Sequence, residues 1–289
     1  MATLNIIGAG RVGKTLAHLI VANRVLEIGD LYDSDSAHAR EAVEFIGAGR
    51  PVDDLGAMRD ADIWLLSVPD MQIAAVAGQL AARLAERLAE RRTAQRIAAS
   101  ASIAVHCSGA LDAEILAPLR AIGWRVASAH PMLSFAHPGT AVFQFENTPC
   151  GIEGDREACS VWSETLAAIG ARCFEIGPGS KTLYHAAAVV SSNFLPILAA
   201  MAVELWQAAG IPDPLIQDMM HTLTRNAADN VVALGPQEAL TGPAARGDRA
   251  VVDAQSHAVA GWDPVAREAY DALSLLAQRL AQTGKVQAG

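Results

Sequence analysis

Apolar and polar positions along this chain follow one grammar up to about residue 176 and another beyond it. In the first part, short apolar runs of strand length alternate with stretches of helical spacing. Leu4, Ile6 and Ile7 make the first run, and Leu16, Leu19 and Ile20 continue as a helix predicted to end near Arg24. Further strands are predicted over 26–32, 61–69 (Ile63, Trp64, Leu65 and Leu66, stopped by Pro69), 103–105, 124–129, 149–152 and 172–176. Helices are predicted over 71–99 and 158–169. After Gly177-Pro178-Gly179-Ser180 only helical periods remain, over 181–209, 214–233 and 264–282. The pattern predicts an α/β domain with a mostly parallel sheet over 1–176, followed by an all-α domain over 177–289.

The first run leads straight into Gly8-Ala9-Gly10-Arg11-Val12-Gly13 and then the helix. Strand, G-x-G-x-x-G and helix together form the dinucleotide-binding arrangement. Gly8 allows the tight turn, Gly10 lets backbone approach a pyrophosphate, and Gly13 lets helix pack on strand. The helix N-terminus then offers N–H groups and a positive dipole end to phosphates. The six residues from Gly8 to Gly13 are therefore the first cofactor-binding candidates. Asp33 follows where the fingerprint places an acid for the adenosine ribose hydroxyls, and a carboxylate there favours NAD over NADP. The alternative for Asp33 is a loop aspartate in a turn and helix cap with Ser34, Asp35 and Ser36. Ser67, Val68 and Pro69 end one predicted strand, and Asp70 is placed to cap the next helix. His106-Cys107-Ser108-Gly109-Ala110 ends another strand. Carboxyl ends of parallel strands are where ligands sit, so Ser67, Val68 and Ser108 are expected near the nicotinamide.

Composition narrows the partners. The chain has 289 residues, 52% hydrophobic, with a net charge of -9 and a mean hydropathy of +0.23. An acidic chain without a basic block argues against nucleic acid. The apolar stretch 186–203 is interrupted by Ser191, Ser192, Asn193 and Pro196, and reads as a buried helix, not a membrane span. No leader precedes the first strand, and Cys107, Cys150, Cys159 and Cys173 lack C-x-x-C spacing, which together predict a cytoplasmic protein with reduced thiols. The histidines lack metal-ligand spacing, so no metal site is expected. Arg83 with Glu86 and Arg87 with Glu90 read as pairs on a solvated helix face.

Only three of the 22 basic residues are lysines, Lys14, Lys181 and Lys285, so a lysine in a special place stands out. Lys181 opens the first helix of the second domain, with Ser180 as its expected cap. His185 lies one turn on and Ser192 returns to the same face, with Asn193 at its edge. A lysine in the first helical turn opposes the dipole, which lowers its pKa and suits a proton donor or orienting cation. Lys181 also reads as a solvated helix-start residue, and His185 as a packed helix histidine. A second polar island, Ala239 through Asp248, carries Arg246, which either grips a substrate carboxylate or forms an interdomain or intersubunit salt bridge. His257 is a weaker candidate for the same site.

Taken together, GAGRVG, SVPD, HCSGAL, AHPMLSF, KTLYHAAAVVSSNF and ALTGPAARGD resemble a family of two-domain proteins. That family has a Rossmann-like N-terminal domain and a helical C-terminal domain of unassigned function. It is distantly similar to pyrroline-5-carboxylate reductases, ketopantoate reductases and beta-hydroxyacid dehydrogenases. The resemblance implies a Rossmann-type reductase with its active site between the domains, a homodimer through the C-terminal helices, and a preference for NADP. In the beta-hydroxyacid dehydrogenases a lysine at the start of the interdomain helix acts in proton transfer, and Lys181 matches it; His185 stands where they carry asparagine. The expected function is NAD(P)H-dependent reduction of a small carboxylated carbonyl or imine, ketopantoate-like at its sharpest. Lys181 or His185 would supply the proton, and Asn193 and Arg246 would orient substrate. The alternatives are a non-catalytic dinucleotide-binding sensor or partner-binding protein, and a structural dimerisation protein with a vestigial site.

Overall fold

The computed structural model describes residues 1–94 and 102–288, with backbone alone over 87–94. The Arg87–Glu90 pair and the predicted helix beyond Ala94 lie outside the described residues. The chain divides into two units, Met1–Ala188 and Val189–Gly289.

In the first unit eight strands form one sheet: β1 (Thr3–Ile7), β2 (Glu27–Tyr32), β3 (Arg50–Val52), β4 (Ile63–Leu66), β5 (Ile103–His106), β6 (Arg125–Pro131), β7 (Pro149–Gly154) and β8 (Arg172–Glu175). Their order is β3-β2-β1-β4-β5-β6-β7-β8. The first six run parallel, β7 runs antiparallel to β6, and β8 parallel to β7. The strand order reverses beside β1, with β2 on one side and β4 on the other, which opens a crevice at their carboxyl ends.

Helices α1 (Arg11–Ala22), α2 (Ser36–Ile46), α3 (Asp70–Ala94), α4 (Ala117–Ala121), α5 (Pro138–Gln144) and α6 (Arg156–Ala168) connect the strands. Side chains alternate across β1 and β4. Leu4, Ile6, Ile63 and Leu65 pack with Leu16, Ile20 and Trp162. Ile7, Trp64 and Leu66 face the other way, toward Ile73, Leu80 and Trp124. Burial on both faces is why the central strands read as unbroken apolar runs.

Several elements depart from the sequence expectation. The three-residue β3, α2 and α5 were not foreseen. α5 opens on Pro138-Gly139, a pair that reads locally as a turn, but proline is tolerated at the first helical position. The reversed direction of β7 also lies outside the apolar pattern, which does not encode strand polarity.

The division between units falls past Gly177, inside the helical run Lys181–Ala208. Its first helix, α7 (Lys181–Ala188), belongs to the sheet unit because Lys181, Tyr184 and His185 are held there. A π-helical turn over Val189–Asn193 follows. The second unit continues with α8 (Phe194–Ala208), α9 (Asp213–Leu234), α10 (Pro236–Ala239), α11 (Pro243–Arg246), α12 (Arg249–Trp262) and α13 (Pro264–Thr283). The expectation that 186–203 is a buried helix is corrected. No part of its apolar window is buried, and Phe194, Leu195 and Ile197 are 51%, 48% and 59% exposed. The helices of the unit do not cover this face.

Candidate active site

The glycine loop is shaped by close backbone approach at the crevice between β1 and β4. Gly8 has φ +99°, and a Cβ there would lie 2.7 Å from the carbonyl carbon and oxygen of Ser67. Ser67 stitches the loop, donating from N to Ile7 O at 2.8 Å and from Oγ to Gly8 O at 2.7 Å. A Cβ on Gly13 would overlap that same hydroxyl. Gly10 takes the N-cap position of α1 without a side-chain cap, and no acidic residue occupies the first turn. The amides of Arg11, Val12 and Gly13 are thus left for an external acceptor. These features fit the pyrophosphate of a nicotinamide dinucleotide. Val68 and Pro69 continue the crevice wall from Ser67.

Asp33 sits just past β2 and closes the other side of the loop. Its Oδ2 accepts from Ala9 N at 2.7 Å, and its Oδ1 from Asp35 N at 3.0 Å. Asp35, not Asp33, caps α2 through Ala37 N. An ionised carboxylate has about four acceptor sites, so Asp33 retains capacity for ribose hydroxyls while holding the loop.

A network unseen in the sequence lies deeper on β2. Burial pushes the Asp30 carboxyl up, but hydrogen bonds from Arg50 and Arg59 outweigh it and hold the group well below the usual carboxylate range. Arg50 donates through Nε and Nη2 at 2.9 and 2.8 Å, and Arg59 through Nη2 at 2.6 Å. Asn5 completes it by accepting from Asp30 N and donating to Arg59 O, both at 2.7 Å. This cluster ties β1, β2 and β3 together and has a structural role.

The ends of β5 and β6 gather the polar chemistry. His106 is fully buried; its Nδ1 accepts from Ser108 N at 3.1 Å, and its Nε2 meets Asp112 O at 3.0 Å. The carbonyl accepts only, so the ring carries its proton on Nε2. Burial, then the Lys181 charge, push its pKa down to about 4. Ser108 is also buried. Its hydroxyl donates to Asp70 Oδ2 at 2.8 Å and accepts from Ala110 N and Leu111 N. Ser108 therefore holds the turn after β5.

Lys181 is 3% exposed. Its ammonium contacts Ser128 Oγ and lies 3.5 Å from Glu153 Oε1, and Ser128 and Glu153 are directly paired across β6 and β7. Glu153 Oε1 also accepts from Ala113 N at 2.8 Å. Burial lowers the Lys181 pKa and raises that of Glu153, in each case against the attraction of the other. The solvated helix-start alternative for Lys181 is thereby overturned, and burial is the cause of its lowered pKa.

His185 points elsewhere, toward His130, with ring centroids 5.5 Å apart. Its Nδ1 is buried without a hydrogen-bond partner. A Cβ on Gly109 would overlap that nitrogen and stand 2.8 Å from His130 Nε2. His130 Nδ1 pairs with Tyr184 Oη at 3.0 Å. Burial, then His185 and Lys181, push the His130 pKa down to about 4. Among the residues singled out in the sequence, the sheet unit thus brings Lys181, His185 and Ser108 to one end of the sheet.

Asn193 and Arg246 belong to the second unit. Asn193 Oδ1 accepts from Ser192 Oγ at 2.9 Å. Arg246 Nε donates to Asp248 Oδ2 at 3.0 Å beside an open cavity lined by Gln237, Leu240, Thr241 and Ala281. His257 Nδ1 bonds within its own helix, to Asp253 O. Sequence reasoning missed His106, Ser128, His130 and Glu153 as site residues. The one available signal was a histidine at the carboxyl end of each of two predicted parallel strands.

Comparison with known proteins agrees with this architecture. Residues 2–131 match a Rossmann-like domain, and residues 148–277 match a domain of unknown function, DUF2520. No curated protein matches the chain. Among solved structures, protein TM1727 from Thermotoga maritima superposes with a TM-score of 0.72 at 26% identity, covering 97% of this chain and 99% of that one. A Bacteroides fragilis protein assigned as an NADP oxidoreductase gives 0.72 at 22%, covering 96% and 98%. Pyrroline-5-carboxylate reductase from Coxiella burnetii gives 0.57 at 13%, covering 100% and 99%. The chain thus carries a match to a Rossmann-like domain followed by a match to DUF2520, and it shares the fold of these solved structures over nearly its whole length.

Proposed function

We propose that the chain is an NAD(P)H-dependent reductase of a small carboxylated carbonyl or imine compound. One observation carries the reading. The crevice shaped by Gly8, Ser67 and the uncapped start of α1 shares its sheet edge with the cluster of His106, Ser108, His130, Lys181 and His185. A dinucleotide bound there supplies a hydride. The chain supplies the rest: the α1 amides hold phosphate, Asp33 meets the ribose, and Ser67, Val68 and Ser108 border the nicotinamide end. Lys181 or His185 donates the proton, and Asn193 and Arg246 orient the substrate. The Asp33 carboxylate favours NAD, since a 2′-phosphate would meet like charge.

The exposed side chains of Phe194, Leu195, Ile197 and Leu198 on α8 support a homodimer through the helical unit, because grouped exposed apolar residues mark an interaction surface.

The test is nicotinamide oxidation by purified protein with NADH and NADPH in parallel, against ketopantoate, other 2-oxo acids and cyclic imines. Turnover of one of them is the expected result, with NADH the better donor and Asp33→Asn shifting preference toward NADPH. Cofactor binding without turnover, together with tolerance of Lys181 and His185 changes, would point to a dinucleotide sensor instead.

A further inference from the structure

We infer that neutral His130 is a catalytic hydrogen-bond donor, presenting its Nε2–H to the carbonyl oxygen of the substrate, and that Tyr184 is the positioning residue that fixes this tautomer. The inference rests on the reductase reading and adds to it two residues with no role there.

One hydrogen bond sets the proton's position. Tyr184 Oη lies 3.0 Å from His130 Nδ1. A phenol is the stronger proton donor and a neutral imidazole nitrogen the stronger acceptor, so Tyr184 donates its hydrogen bond to that nitrogen. A ring that accepts at Nδ1 and is neutral carries its hydrogen on Nε2. Gly151 stands opposite His130 across β6 and β7. Gly151 leaves room for the phenol, because a Cβ there would stand 2.9 Å from the Tyr184 oxygen.

The donor faces Gly109. His130 Nε2 and His185 Nδ1 converge on the side of Gly109 where any other residue would carry its Cβ. The two nitrogens are not bonded to each other, and His185 Nδ1 has no partner. Gly109 follows Ser108 at the end of β5, the strand end where the nicotinamide is placed above. A neutral imidazole donating to an oxygen that gains negative charge during hydride arrival stabilises that charge without needing to be charged itself. No proton is transferred in this interaction; the alkoxide is protonated separately by the donor named under the proposed function. Burial with His185 and Lys181 nearby keeps His130 neutral, and Asp70 opposes them.

The experiment pairs a spectroscopic with a kinetic readout on the full chain. Long-range 1H–15N spectra of histidine-labelled protein, with His130 assigned through His130→Gln, should show a single Nε2–H tautomer. In Tyr184→Phe that signal should become a mixture of tautomers. Against the carbonyl substrate found by the oxidation assay, His130→Ala should lower kcat by about 10²–10³-fold. His130→Gln, which keeps an N–H near the Nε2 position, should retain most of the activity. An Nδ1–H tautomer in the wild type, or wild-type kcat in His130→Ala, overturns the inference and leaves the reductase reading standing. Absence of turnover in the wild type with every carbonyl tested overturns both.

Discussion

Lys181 and Glu153 form an ion pair in which the lysine side chain is 4% exposed and the carboxylate 19%. The lysine that stood out by its rarity therefore also ties α7 to the sheet. Removing one partner of a buried pair strands the other charge, at a cost of about 3–5 kcal/mol. Lys181→Ala should be destabilised on this scale in urea unfolding. Lys181→Met with Glu153→Gln should recover much of the loss. Equal loss in the double and single variants would contradict the pairing. Activity assays on Lys181 variants need this measurement beside them.

The buried histidines set the acid side of the stability profile. In the native protein the His106 pKa is lowered from 6.5 to about 4. The unfolded chain therefore binds a proton that the native chain refuses. The stability this group contributes is complete above about pH 6.5 and is lost as pH falls toward 4, by about 3 kcal/mol at full protonation. His130 acts in the same direction over the same window. Unfolding free energy measured from pH 7 to 4 should fall, and His106→Gln should flatten the slope. A slope unchanged in that variant would contradict the assignment.

Gly109→Ala should separate cofactor binding from turnover. The new methyl would displace His185 and His130, and a displacement near 1 Å can cost about 10²-fold in rate. The pyrophosphate loop lies elsewhere and only the nicotinamide end adjoins Gly109, so dinucleotide affinity by titration should fall far less than kcat. Unchanged kcat would show that the two rings do not act where they converge.

The helical unit offers a separate test. Ile197 is 59% exposed on α8. Light scattering of the wild type should give twice the mass of one chain. Ile197→Arg should give one mass, since a buried unpaired charge at an interface costs several kcal/mol. A wild-type monomer would remove the dimer and leave the apolar face to another partner, with vesicle flotation as the check for a membrane.

What the sequence revealed depended on range. Gly8, Gly10 and Gly13 carry their meaning in spacing of a few residues, so the loop was legible. Lys181 was legible because the chain is poor in lysine. His130, Ser128 and Glu153 come together only through the pairing of β6 with β7, and no local pattern announces an antiparallel partner. Asp30 gives no hint that Arg50 and Arg59 will meet it, because both arrive through the edge strand β3 and the loop after it. The i+4 spacing of Lys181 and His185 suggested a shared target, yet each side chain found its own. α12 is a helix that escaped notice because a polar residue, Ser256, interrupts its buried stripe between Val252 and Val259.

The double tether on the glycine loop, Asp33 to Ala9 on one side and Ser67 to Gly8 on the other, bears on the timing of cofactor capture. A phosphate-binding loop already held in shape has no slow folding step to complete when its ligand arrives. Stopped-flow association of NADH should then follow one exponential whose rate rises linearly with ligand concentration. Cutting one tether with Asp33→Ala should introduce a plateau, the mark of a loop that must first find its form.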